Sequence, residues 1–476
     1  MKKTLTILLS LLLVLPASAS QKETEKKDSP VKEHLQNHFK LYGFIRNFFV
    51  YDSRDSKAGT GDLFYYLPLD NKWNTADVNN PAREDLNASP NFRFLALTSR
   101  VAFDVSGYYI NNLHFGAKVE GDFYSGLAAA KTANGLSGNT SVSGTAQARL
   151  RQAYVTLTWK DLPMRNDKTA QMGLMIGQAW HPMAADMPHV FSLEAGAPFG
   201  PFSRTPQVTM DAALGEHWIL SAAAIWQQQY QSAGPDGASA AYMKYACTPE
   251  VYAAVTLKGK EVLFRGGVDV VSIKPRNIGK NADELTVHVK DRKTSVLGYL
   301  YGQYNHKLLS IKAKTTFGEG GEHMNLMSGY AVVDKTDPTD WKYASMLNSS
   351  SWLSLCYGKK WQGVLYLGYV KNFGLADKVA PGYIESSDVY FCGNGFSNIN
   401  QMYRINPQLL YNLGKFTLGL EYQWTAVQYG DYRKGEYTIN GKQVELTSGL
   451  NALALATENL HWVGNNRVNM MVKFTF

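Results

Sequence analysis

The residues with the most chemical potential in this chain are charged ones spaced at even intervals among apolar neighbours. Glu120 and Asp122 stand two apart, as do Arg149 and Arg151, and Arg100 and Asp104 stand four apart. Lys118, Arg204, Arg265, Asp269, Arg404, Glu421 and Lys473 occupy similar settings. Even spacing puts side chains on one face of a strand. Arranged around a water-filled neck, such charges set ion preference, because fields there are less screened than in bulk water. Paired across neighbouring strands, they only solvate a wall. Enzymatic readings find no such support. His34 and His38 have metalloprotease spacing, but Leu35 stands where the glutamate of H-E-x-x-H belongs. There is no G-x-S-x-G elbow and no P-loop, and Gly393-Asn394-Gly395 reads as a turn. Cys247, Cys356 and Cys392 are odd in number and widely spaced. Free buried thiols are expected, two of them on strands, with one bridge allowed in an oxidising compartment. No catalytic residue, cofactor or metal site is read, and the chain is not expected to be an enzyme.

The elements that must hold these charges alternate with a period of two. In 416–424, Phe416, Leu418, Leu420, Tyr422 and Trp424 alternate with Thr417, Gly419, Glu421 and Gln423. The blocks 95–105, 113–123 and 467–476 behave likewise, each presenting one apolar and one polar face. Strands of a soluble sandwich average five or six residues, whereas these reach the ~9–11 residues that a tilted strand needs to cross a bilayer. Tyr and Trp crowd the block ends, as at Tyr51, Trp159, Trp180, Trp218 and Trp462. Such rings suit a membrane–water interface. Sixteen blocks are counted between 38–52 and 461–476, among them 91–106, 146–160, 169–180, 243–258, 349–359 and 361–375. Short connections such as 258–261 alternate with long ones such as 181–203 and 320–348, as in an up-and-down transmembrane barrel with outside loops. In 148–159 the parity of apolar residues switches, which implies a bulge near Gln152. The block 41–50 is apolar on both faces and leaves its orientation open.

Composition agrees. Of 476 residues, 18% are charged and 12% aromatic, with 28 Tyr and 10 Trp. That charge fraction is below the ~25% of ordinary soluble domains. No basic–aromatic array suggests nucleic acid. Lys2 and Lys3 precede an apolar run from Leu5 to Leu15, then Pro16 and Ala17-Ser18-Ala19. This pattern is that of a signal peptide over 1–19. Removing its two lysines lowers the formal charge from +8 to +6. A short polar segment, 20–37, and a barrel over 38–476 complete the expected organisation.

The phrases Ala117-Lys118-Val119-Glu120-Gly121-Asp122-Phe123, Arg149-Leu150-Arg151-Gln152-Ala153-Tyr154 and Gly177-Gln178-Ala179-Trp180, with terminal Phe476, resemble Gram-negative porins. The resemblance is greatest to the DcaP-like group as found in the Bacteroidota, and it covers most of the chain from Phe39. It implies a sixteen-stranded outer-membrane barrel, a homotrimer, and a third long loop folded into the pore. Segment 181–203 holds that loop's place. The terminal aromatic resembles the signal read by the barrel-assembly machinery. The expected function is passive diffusion of small hydrophilic or anionic solutes across the outer membrane, with lipid as the surrounding partner. The competing reading is an exported surface β-protein that binds saccharide or peptide and has no channel. The residues expected to line the pore and its constriction are Arg100, Asp104, Lys118, Glu120, Asp122, Arg149, Arg151, Asp186, His189 and Arg204. Opposing carboxylates would leave only a mild anion preference.

Overall fold

Alternation gives every long strand one face that water must not see and one that it must. Closing the sheet on itself satisfies both faces and abolishes the edges. The computed structural model describes residues 38–59, 64–96, 99–125, 130–132, 135–137, 146–164, 169–376, 389–391, 398–432, 436–439, 442–445 and 456–476. The expected signal peptide, segment 20–37, Cys392 and the glycines at 393 and 395 lie outside them. Among the described residues, sixteen long antiparallel strands form one closed barrel. They are β1 (Phe39–Asp52), β2 (Asn91–Leu95, resuming as Arg100–Ile110), β3 (Leu113–Ser125) and β4 (Ala146–Pro163). Next come β5 (Thr169–Trp180), β6 (Arg204–Leu214), β7 (Trp218–Ile225) and β8 (Glu250–Lys258). The third quarter is β9 (Val262–Ile273), β10 (Lys293–His306), β11 (Leu309–Glu319) and β12 (Lys342–Gly358). Last are β13 (Trp361–Leu375), β14 (Ile399–Leu413), β15 (Phe416–Tyr432) and β16 (Ala456–Thr475). Each strand pairs with the next, and β1 closes on β16 from Phe44↔Thr475 to Asp52↔Arg467.

Side-chain exposure follows the expected parity. On β15, Leu418, Leu420 and Tyr422 point outward, while Thr417, Glu421 and Gln423 are enclosed. On β1 the open question resolves: Leu41, Ile45 and Phe49 point out, and Phe48 and Val50 are buried inside. Three expectations need correction. The block 243–258 is not one strand, because residues Ala241–Ala246 form a short helix before β8. Cys247 therefore caps a helix in the left-handed region (φ 55°) and is exposed, whereas Cys356 is buried on β12; both are free thiols. The third correction concerns 320–348, expected as a long outside loop. Every residue from Glu322 to Val333 is buried, and β12 begins already at Lys342.

The apolar core lies inside the barrel, on one side. Loop residues Met183, Phe199, Phe202, Met324 and Leu326 pack against Tyr252, Tyr299, Trp352 and Tyr366 of the wall. Tyr66 and Leu67, from the connection after β1, join the same cluster.

Candidate functional site

The wall from β1 to β6 carries a cluster of arginines and carboxylates. On β4, Gln152 pairs with Glu120 and Leu150 with Gly121, so Arg151 is the extra residue of a bulge. The bulge turns both Arg149 and Arg151 inward while Leu150 and Val155 remain outward, about half exposed. Arg149 forks onto Asp122 through Nε and Nη2, at 2.8 Å each. Arg151 donates to Glu120 at 2.8 Å and to Asp122 at 2.6 Å, and Arg100 reaches Glu120 at 3.5 Å. Arg204 opens β6 and is 3% exposed; its guanidinium sits 4.9 Å above the Trp180 ring and donates to Gln229. Arg46 of β1 joins them, pairing in register with Lys473 and stacking on Phe44 and Phe48. Arg46 lies within electrostatic range of Arg100 and Arg151, and Arg204 within range of Arg100, Arg149 and Arg151. Five guanidiniums against two carboxylates leave three net positive charges among these seven groups. Lys118, Tyr42 and Asp104 form a neighbouring chain, with Lys118 Nζ to Tyr42 at 2.6 Å and Tyr42 to Asp104 at 3.2 Å. Lys118 and Asp104 border a polar recess of about 530 Å³ that also meets Lys40, His114 and Tyr154.

The wall facing segment 181–203 spends its charges differently. Arg265 holds Asp186 at 2.6 Å, and Lys314 caps the carbonyls of Met183 and Asp186 at 2.6 and 3.1 Å. Glu194 lies between Arg467 at 3.1 Å and Arg404 at 3.7 Å, with all three side chains at most 4% exposed. Arg404 also donates to the carbonyls of Ala197 and Tyr66, and Tyr366 to that of Gly196. Phe191 packs on Phe48, and its amide donates to Gln408. His189 Nε2 meets Ser310 at 2.9 Å, and its amide donates to Ser354. Burial and the nearby Lys312 push the His189 imidazole down to about 4. The segment, rooted between β5 and β6, is thus tied across the interior to β9, β11, β12, β13, β14 and β16.

Of the ten residues singled out by sequence, the structure gathers Arg100, Glu120, Asp122, Arg149, Arg151 and Arg204 into one cluster, with Asp104 and Lys118 beside it. Asp186 and His189 do not join it; they are held by Arg265 and by Ser310 and Ser354. Arg46 was missed because its strand is apolar on both faces, although its even parity with Tyr42 was available. The Glu194 tie joins residues too distant in sequence for any spacing rule.

No protein-family model and no curated protein sequence matches the chain. Solved structures do. The outer membrane channel DcaP of Acinetobacter baumannii aligns with TM-score 0.56 at 16% identity, over 92% of this chain and 97% of that one. An anion-selective porin from Comamonas acidovorans aligns at TM-score 0.49 and 10% identity, over 92% and 99%. Salmonella typhi OmpF aligns at 0.46 and 11%, over 92% and 98%. At these identities the likeness is one of fold.

Proposed function

We propose that this barrel is an outer-membrane porin, a passive channel for small hydrophilic solutes with a mild preference for anions. The observation that carries the reading is the Arg46–Arg100–Arg149–Arg151–Arg204 cluster on the enclosed face of a closed sixteen-stranded barrel. An excess of buried positive charge on an inner wall is costly unless water or a passing anion reaches it. Segment 181–203 acts as the constriction loop, since its ties cross the interior, and Asp104, Lys118, Glu120 and Asp122 complete the lining. Asp186 and His189 shape the loop's attached side. Export by the segment 1–19 rests on its signal-peptide pattern, and insertion through Phe476 and assembly as a trimer rest on the resemblance of the sequence to DcaP-like porins of the Bacteroidota. Protein extracted in detergent and added to a planar bilayer tests the function. Stepwise ohmic conductance is the expected result, and electrical silence overturns it.

A further inference from the structure

One buried cluster belongs neither to the arginine wall nor to the straps that hold the loop. His181 follows β5, Glu250 opens β8, Asp269 lies on β9 and His323 sits in the helical turn Glu322–Met324. All four are at most 2% exposed, and one ligand atom from each lies within 4.8 Å of the others. Their separations are of two kinds. His181 Nε2 to Glu250 Oε1 is 2.5 Å, a hydrogen bond. The other three are His323 Nε2 to Glu250 at 3.1 Å, and Asp269 to His181 and His323 at 3.7 and 3.9 Å. Donors ~2.1 Å from a tetrahedral ion stand about 3.4 Å apart, a spacing bracketed by the His323–Glu250 and His323–Asp269 separations. Asp269 Oδ1, Glu250 Oε2 and His323 Nδ1 are buried without a hydrogen-bond partner. Two carboxylates that each bury an unpaired oxygen call for a cation.

We propose that Glu250, Asp269 and His323 bind a divalent transition-metal ion, with mixed imidazole and carboxylate donors suited to zinc. His181 is a positioning residue. Its Nδ1 accepts the Met183 amide at 3.1 Å, which leaves the proton on Nε2, and that proton is donated to Glu250. The ring therefore orients a ligand carboxylate rather than binding the ion. On binding, the ion takes the place of the proton between His323 Nε2 and Glu250, that proton is released to solvent, and neutral His323 carries its single proton on Nδ1. The site joins segment 181–203, strands β8 and β9 and the buried connection between β11 and β12 at one point.

The test uses the full folded barrel in detergent, stripped with chelator, reloaded with Zn²⁺ and desalted, with metal counted by elemental mass spectrometry. One zinc per protomer is expected, lost in His323→Ala and in Asp269→Asn but kept in a Cys247→Ser/Cys356→Ser control. His181→Phe should weaken affinity ~10–100-fold, and His181→Gln, which restores an N–H donor, should recover most of it. Where the ligand variants fail to fold, Co²⁺ added to the wild type serves instead, with ligand-field absorption of a low-coordinate N/O site expected. Zinc retention no greater than in the His323→Ala/Asp269→Asn double variant, loss of zinc in the cysteine control, or absence of the Co²⁺ bands overturns the proposal and leaves a proton-bridged polar cluster.

Discussion

Arg151 owes its position to one extra residue in β4. Without that bulge Arg149 and Arg151 could not share the inner wall with Tyr154, because parity would put one end of the strand the wrong way round. Both guanidiniums are committed to Glu120 and Asp122, so their removal uncovers carboxylate as well as deleting cation. Replacing both by Ala leaves one net positive charge where the cluster had three. We expect the zero-current reversal potential under a salt gradient to move toward cation selectivity, less so at high salt as the Debye length shortens. An unchanged potential with intact conductance would show that this wall does not govern ion passage. His189 yields a pH dependence. Its folded value of about 4 lies below the ordinary 6.5, so an unfolded loop takes up a proton that the packed loop refuses. The contribution to loop packing is complete above about pH 6.5 and is lost as pH falls toward 4. Amide hydrogen exchange over 187–191, corrected for intrinsic rates, should rise on going from pH 7 to 4.5, and His189→Gln should flatten that change.

Among the elements, the strands were legible and the packing of the loops was not. A period of two survives any context because the pleat enforces it, and β5 and β13 have the bounds expected from sequence, 169–180 and 361–375. The bulge was legible as a parity switch one residue from where it lies. The buried stretch 322–333 was not, because its short apolar run from Tyr330 to Val333 reads equally as strand, core or loop. The metal-like cluster left no trace, since its four residues come from four elements with no characteristic spacing. The loop's seat on the wall depends on small residues: a Cβ on Gly368 would lie 2.5 Å from the Phe199 ring. Gly368→Val should displace Phe199 without altering the strand's hydrogen bonds. Overpacking of this kind costs about 1–3 kcal/mol. A lowered thermal midpoint with faster hydrogen exchange across 181–203 is the expected signature, and wild-type exchange there would refute the seat.

For the whole molecule, outward apolar faces on strand after strand need either lipid or a neighbouring barrel. Assembly as a trimer predicts a three-fold mass by native mass spectrometry in mild detergent, converting to monomer on heating; monomer alone would refute it. The barrel's interior has a further consequence, because it encloses a packed apolar cluster. Tyr66, Met183, Phe199, Met324 and Leu326 form with the wall a cluster that no lipid touches. Exchanging a bilayer for detergent leaves that cluster as it was, and unfolding must bring it into water. Such exposure raises heat capacity. Calorimetry should therefore record a sizeable positive heat-capacity increment that varies little with detergent chain length, the thermal behaviour of a globular protein housed within a barrel.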